Sequence, residues 1–261
     1  MILREYFSAS DKITIFLLSK LSHTLFFREH VLKTKIGIKF MEAFYTLQFF
    51  SVKAGLNNLL QCSPCVIDIL GEYSKNPEAA LNYLEKNFEL CSLLPEAGKV
   101  DLHLALKPSA FCWHNEKQIL KKLFEIVEIA SEKKIPTVFD AEDRETNCKF
   151  TPVLKQLIKS RLLVGLAVQA YWHDTVSFLE DIFALPCEKI WIRVVKGAYF
   201  LRELAKNSDR LISCPRQVTD NFFKIIDRFS QTKRCFLAVG THNLSLLQQL
   251  LREDAKVEYQ F

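Results

Sequence analysis

Polar side chains follow directly on short apolar runs at several places in the chain beyond residue 95. They are Lys107 after LAL, Asp140 after TVF, Gln169 after LAV, Lys196 after RVV, and Thr241, His242 and Asn243 after AVG. Ammonium, carboxylate, amide and imidazole groups can together bind an anion, hold a polar ring and move protons. Because each group stands where a strand would end, the pattern predicts one shared site at an edge of a parallel sheet.

Arg193 stands inside the apolar run WIRVV, where an unpaired cation would carry a heavy desolvation penalty. A structural salt bridge to Asp140 or Glu142 is one interpretation. A flavin is the other, because Arg193 and Gln169 could donate to the N5 and carbonyl edge of an isoalloxazine ring and a cation stabilises the reduced ring. The ligand class stays open at this point.

Two further features fit a ligand site without defining one. Lys196 is followed by Gly197 and Ala198, small residues that let a ligand approach the backbone closely. His242 fits a general base, a phosphate contact or an ordinary loop histidine. No residues with the spacing of a metal site accompany them, so we expect no bound metal.

The elements that position these residues change character near residue 95. Up to that point apolar residues recur at helical spacing, and Asn76, Pro77 and Glu78 form a typical helix start. Beyond it, short apolar runs alternate with helical patterns, which is typical of βα units around a parallel sheet covered on both faces. We predict a helical region over 1–95 and a βα barrel domain over 96–261.

The composition excludes several classes of protein. With 49% hydrophobic and 25% charged residues, the chain of 261 residues is typical of globular proteins, and its formal charge of +5 is spread too evenly for a nucleic-acid surface. Lys20 and His23 interrupt the apolar N-terminal stretch, which predicts neither a membrane span nor an export signal. We expect a cytoplasmic protein, and the amphipathic character of this stretch leaves peripheral membrane contact open.

The ordered motifs resemble those of the FAD-dependent proline dehydrogenase family, which oxidises L-proline to 1-pyrroline-5-carboxylate. They run from about residue 80 to the end of the chain: LALKPSAF, FDAED, VQAY, RVVKGAYFLRE, Thr219-Asp220, GTHN and EYQF. The resemblance implies a distorted (βα)8-type barrel preceded by helices. It also implies a quinone-type electron acceptor reached by peripheral association with a membrane.

The resemblance also implies a role for each matching residue. Lys107 would bind the proline carboxylate, and Asp140, with Arg193, would act at the reacting atoms. The cofactor contacts would come from Ala141, Gln169, Arg193, Val195, Lys196, Gly197, Ala198, Tyr199, Thr241, His242 and Asn243. We expect Glu203 and Asp220 to act through neighbouring residues or to be structural.

The chain departs from the family at Pro108, at Trp172-His173 and at its end. Family members continue through two more strands and a helix with a Tyr-x-x-Arg-Arg-x-x-Glu pattern, whereas this chain ends at Phe261. We therefore expect a truncated barrel without its last two strands, completed by a separate chain if at all, and poor or no proline oxidation by this chain alone. Two alternatives stay open: a degenerate, non-catalytic flavin-binding or scaffold fragment, and a barrel flavoenzyme for another cyclic imino acid.

Overall fold

Strands and helices alternate throughout the part of the chain that the structure describes. The structure is a computed structural model, and it describes residues 65–95, 102–114, 117–241, 243–252 and 257–260. The strands are β1 (Cys65–Asp68), β2 (Leu102–Leu106), β3 (Thr137–Phe139), β4 (Val164–Gln169), β5 (Ile190–Val195), β6 (Cys235–Gly240) and β7 (Glu258–Gln260). The helices are α1 (Pro77–Leu93), α2 (Lys117–Glu132), α3 (Arg144–Lys159), α4 (Thr175–Phe183), α5 (Phe200–Leu204), α6 (Pro215–Ser230) and α7 (Leu244–Arg252), with 3₁₀ turns at Pro108–Ala110 and Ser208–Arg210.

The strands form one sheet in which each strand lies parallel to the next in chain order, from β1 to β7. The sheet is a curled half-barrel with helices between its strands, which confirms the predicted parallel barrel class. β2, β3 and β4 are buried along their whole length, so both faces of the sheet are covered there. This burial explains why these strands read as continuous apolar runs.

β1 lies where the sequence analysis predicted only helix. It pairs with β2 from Cys65 opposite Leu102 to Asp68 opposite Ala105. A run of four residues fits helical or strand spacing equally well, and here its pairing with a strand distant in sequence decides the conformation. The helical prediction is therefore wrong for these residues. The described sheet has seven strands, whereas the sequence predicted six. The expectation that two strands are missing rested on that lower number. The predicted domain boundary at residue 95 stays a prediction, because residues 1–64 lie outside the described part.

The helices pack through apolar faces, and α1 and α3 begin at residues whose side chains cap them. The predicted helix start at Asn76 is confirmed: its side-chain oxygen accepts from the Ala79 amide at 2.8 Å, and Pro77 opens α1. α6 shows the helical spacing most clearly, because its buried residues are Val218, Phe222, Ile225, Ile226 and Phe229. No helix in the described ranges is long and apolar enough to cross a membrane.

β5 shows how the sheet directs side chains to the site. Its residues alternate, with Ile190, Ile192 and Val194 buried and Arg193 and Val195 less so. Because successive side chains point to opposite faces of a strand, Arg193 and Val195 share the face opposite the buried set. The arginine therefore stands on the less buried face of a strand whose other face is apolar.

Candidate functional site

The carboxyl ends of β1 to β6 surround a cavity of about 630 Å³. This volume lies within the range of small-molecule and cofactor sites, roughly 300–1,000 Å³. Most of the sequence-predicted site residues line it: Lys107, Asp140, Ala141, Gln169, Arg193, Val195, Lys196, Gly197, Ala198, Tyr199 and Thr241. The strand-end pattern thus identified residues that the fold brings together.

A cluster of alternating charges forms one wall of this cavity. The ammonium of Lys107 donates to Asp140 Oδ2 at 2.6 Å and lies 3.3 Å from Asp68 Oδ2. Asp140 Oδ1 accepts in addition from the guanidinium of Arg193. The anion that Arg193 was predicted to need is therefore Asp140, and two cations and two carboxylates balance one another.

The charges of this cluster shift the pKa values of two of its members. Burial opposes the charged form of Lys107, but the carboxylates of Asp140 and Asp68 together raise the pKa of this lysine above its ordinary value. Burial also raises the pKa of Asp68, to about 6, although Lys107 lowers it. Lys107 is consequently a permanent cation near neutral pH, whereas Asp68 can change its charge there.

Glu142 forms hydrogen bonds that link the segments following three of the strands. Its carboxylate is buried and accepts from the hydroxyl of Ser109 at 2.7 Å and from the hydroxyl of Tyr199 at 2.6 Å. Burial raises the pKa of Glu142, and burial followed by the hydrogen bond to Glu142 raises that of Tyr199. Because Ser109, Glu142 and Tyr199 follow β2, β3 and β5, this carboxylate holds the rim of the cavity in one arrangement.

The loop after β5 brings backbone and small side chains to the cavity wall. Gly197 has φ +115°, a conformation that L side chains rarely adopt, and a Cβ built on it would lie 2.0 Å from Cε1 of Tyr171. Lys196 precedes it, and burial lowers the pKa of its ammonium. The sequence Lys-Gly-Ala therefore supplies a cation and a close backbone approach at the same place.

Gln169 offers one amide to the cavity. Its Oε1 accepts from the indole N–H of Trp172 at 2.9 Å, and the Thr175 hydroxyl donates to its backbone carbonyl at 2.8 Å. With the oxygen engaged by Trp172, the NH₂ group is the part of this side chain that can donate to a ligand. Trp172, a departure from the family pattern, thus orients the amide.

The predicted residues after β6 have different outcomes. Thr241 lines the cavity, and its hydroxyl accepts from the Asn243 amide at 3.1 Å. Asn243 accepts through Oδ1 from the amides of Ser245 and Leu246, which makes it a cap for α7. His242 lies outside the described residues. Cofactor contact by these residues stays a prediction.

Sequence reasoning missed two acidic residues at or beside the cavity. Glu72 lines it, and Asp68 pairs with Lys107. Glu142, which the sequence suggested only as an ion-pair partner of Arg193, lines the cavity and binds Ser109 and Tyr199 instead. Asp68 follows the apolar residues of β1 in the way that Asp140 follows β3, so the strand-end rule would have found it had β1 been recognised. Glu72 lies in a loop and gives no comparable signal.

The donor set of the cavity fits a flavin ring. Guanidinium, side-chain amide and backbone groups can donate to a planar ring with acceptors along one edge, and Gly197 and Ala198 leave room for it. The nearby cations of Lys107 and Arg193 suit a ring that becomes anionic when reduced.

Comparisons with known proteins agree with this geometry. A sequence model of the family described as Proline dehydrogenase matches residues 58–259. Proline dehydrogenase 2 of Bacillus subtilis (strain 168) is 25% identical over 203 residues, which are 74% of this chain and 63% of that protein. The chain therefore spans less than two thirds of the length of this relative.

Solved structures of proline utilization A (PutA) share the fold. The protein from Bdellovibrio bacteriovorus, inactivated by N-propargylglycine, aligns with a TM-score of 0.65 at 18% identity, over 80% of this chain and 27% of that one. The protein from Corynebacterium freiburgense aligns with a TM-score of 0.65 at 19% identity, over 79% and 24% of the two chains. At this level of identity the likeness establishes the barrel architecture.

Proposed function

This chain belongs to the proline dehydrogenase family, since the family match covers most of its length, and we propose that its cavity binds FAD and L-proline for the oxidation of proline to 1-pyrroline-5-carboxylate. Proteins of this family are flavoenzymes in general. The observation that carries the proposal is the meeting of Lys107, Asp140, Gln169 and Arg193 around one cavity at the strand ends.

FAD would be held by groups of β4, of β5 with the loop that follows it, and of the loop after β6. The NH₂ group of Gln169 and the guanidinium of Arg193 would donate to the ring, and the backbone from Val195 to Tyr199 would lie against it. Thr241, with His242 and Asn243, would contact the rest of the cofactor. When bound, FAD would supply the two-electron acceptor for the oxidation of proline, and we propose a quinone as the acceptor that reoxidises it.

The residues of the chain would bind and orient the substrate. Lys107 would attract the proline carboxylate, because its two neighbouring carboxylates outweigh the opposing effect of burial and keep this lysine charged near neutral pH. Asp140 would hold Lys107 and Arg193 in place, and its negative charge would favour the cationic amine of proline. The buried rim around Glu142 would keep these groups from shifting when a ligand enters.

The experiment is reconstitution of the purified chain with FAD, followed by anaerobic titration with proline. We expect about one FAD per chain, a change in the flavin spectrum on addition of proline, and slow bleaching of its absorbance. The Lys107→Met variant should bind FAD but need ~10- to 100-fold more proline, since one hydrogen bond to a charged group contributes about 1.5–3 kcal/mol. The matched control is Lys121→Met, because the side chain of Lys121 is 80% exposed on α2.

The outcomes separate the alternatives. Failure to bind FAD under any reconstitution condition would remove the flavin from the proposal. FAD binding without any spectral response to proline would favour the non-catalytic flavin-binding protein. A stronger response to another cyclic imino acid than to proline would favour the alternative flavoenzyme, and rapid bleaching by proline would contradict the expectation of poor turnover.

A further inference from the structure

Lys107 lies between the carboxylates of Asp68 and Asp140 and is closer to that of Asp140. Its Nζ is 2.6 Å from Asp140 Oδ2 and 3.3 Å from Asp68 Oδ2, and these three side chains are 16%, 18% and 29% exposed. Asp140 pairs with Arg193 as well, whereas Asp68 interacts with the cluster through Lys107. Asp68 is therefore the more weakly held and the more exposed of the two carboxylates.

Four groups face Asp68 from the elements around it. They are Lys107 after β2, Asp140 after β3, Glu72 in the loop after β1, and the Tyr83 hydroxyl on α1. Among these four, Lys107 is the cation, and it is the group that favours the charged form of Asp68. Burial, Asp140 and Glu72 all favour the neutral form.

A ligand carboxylate at Lys107 would disturb this balance. The cluster without ligand has two cations and two carboxylates, so a third carboxylate adds a negative charge that no further cation of the cluster offsets. Like charges raise one another's proton affinity, and the effect is largest where the countercharge is drawn away. The ligand carboxylate competes with Asp68 for the ammonium of Lys107 and weakens the ion pair between Lys107 and Asp68. Asp68 is therefore the carboxylate that takes up a proton and becomes neutral.

We propose that Asp68 is a positioning residue for Lys107, and that it takes up a proton from solvent when a ligand carboxylate binds to this lysine. This inference rests on the proposed function, because the carboxylate would be that of proline. The ligand then receives the undivided charge of Lys107. When the ligand dissociates, the ion pair between Lys107 and Asp68 forms again, and Asp68 releases its proton to solvent.

The consequence is a binding equilibrium that depends on pH. Asp68 in the free protein titrates at about 6, and with ligand bound it titrates higher. Between these two values the complex holds one more proton than the free protein, so affinity falls as pH rises, by up to about tenfold per pH unit. Below this window the affinity is highest and constant.

The test uses tetrahydrofuran-2-carboxylate with the FAD-reconstituted chain. This probe has the ring and carboxylate of proline but no amine, so it neither titrates in this range nor donates a hydride in the same reaction. Calorimetric titration at pH 6.5 in two buffers of different ionisation enthalpy counts the protons taken up. We expect uptake of a large part of one proton per bound probe, lost in Asp68→Asn, whose affinity should not change with pH between 6 and 8. Asp209→Asn, at an exposed position, should behave as the wild type.

A measurement without ligand tests the pairing itself. We compare ¹³C carboxyl NMR titrations of the wild-type chain and of the Lys107→Met variant. The carboxyl of Asp68 should titrate at higher pH in the variant than in the wild type. An unchanged titration would overturn the inference, and so would probe binding without proton uptake, while the proposed function would stand. If neither the probe nor proline binds, the proposed function has failed and the inference falls with it. The number of protons taken up by the wild-type chain on probe binding tests the inference even if a variant does not fold.

Discussion

Gly197 is the residue of the site whose backbone leaves the least freedom for substitution. It combines φ +115° with a position where a Cβ would lie 2.0 Å from Tyr171 Cε1. We expect Gly197→Ala to lower the free energy of unfolding by ~2–4 kcal/mol, since backbone strain and overpacking each contribute about 1–3 kcal/mol. Urea denaturation measures this loss, and flavin content should fall as well because the loop lines the cavity.

A double-mutant cycle separates the two causes of that loss. Tyr171→Ala alone creates a cavity. Combined with Gly197→Ala, it removes the steric clash between the new Cβ and the Tyr171 ring, while the strained φ of residue 197 remains. We expect the two substitutions together to cost less than the sum of their separate costs. Strictly additive costs would mean that contact with Tyr171 has no part in the effect.

At single positions, the sequence predicted residue types better than their partners. For Arg193 in an apolar strand the sequence suggested Asp140 or Glu142 as partner, and only the register of β3, β4 and β5 selects Asp140. The hydrogen bond between Glu142 and Tyr199 joins residues 57 positions apart, and nothing local in the sequence indicates it. Local patterns specify elements, whereas pairings across the sheet depend on the fold.

At the level of elements, the end of α1 is held by a residue from α2's C-terminal side. The Lys133 ammonium donates to the backbone carbonyls of Cys91, Ser92 and Leu94 at 2.7, 2.8 and 2.6 Å. The last carbonyls of a helix lack partners within it, so this cation satisfies two of them and also the carbonyl of the C-cap residue Leu94. We expect Lys133→Met to cost ~1–2 kcal/mol of unfolding free energy in urea.

The exposed neighbour Lys134 provides the control for this substitution. Lys134→Met should stay within about 0.5 kcal/mol of the wild type, as is usual for exposed positions. Equal losses from the two variants would show that the α1 cap contributes nothing specific. The sequence could not predict this cap, because it joins the ends of two helices separated by β2.

The start of α3 depends on a similar long-range contact. Glu203, the last residue of the recognised motif, is buried and accepts from the Arg144 backbone amide at 2.8 Å and from the Asn207 side chain at 2.7 Å. The expectation that this residue is structural agrees with these contacts. A motif conspicuous in the sequence thus combines cavity-lining residues with one that anchors the helix after β3.

For the whole molecule, Asp68 makes the free energy of unfolding depend on pH. Its ordinary pKa of 3.8 is raised to about 6 in the folded chain, by burial first and then by Asp140 and Glu72 against the opposing effect of Lys107. The folded state therefore binds the proton more tightly than the unfolded state. Its stabilising contribution is complete below about pH 4 and is lost as pH rises through about 6.

Replacement of Asp68 by Asn should consequently stabilise the folded chain at neutral pH and not at acid pH. A pKa difference of about two units corresponds to ~3 kcal/mol at most, and the 29% exposure of the side chain reduces the expected gain to ~1–2 kcal/mol. Urea denaturation at pH 7.5 should show this gain, which should vanish at pH 4. Asp209→Asn, at an exposed position, should shift neither value by more than about 0.5 kcal/mol. A variant less stable than the wild type at pH 7.5 would mean that attraction to Lys107 outweighs burial, and that a charged Asp68 helps to hold the sheet edge together.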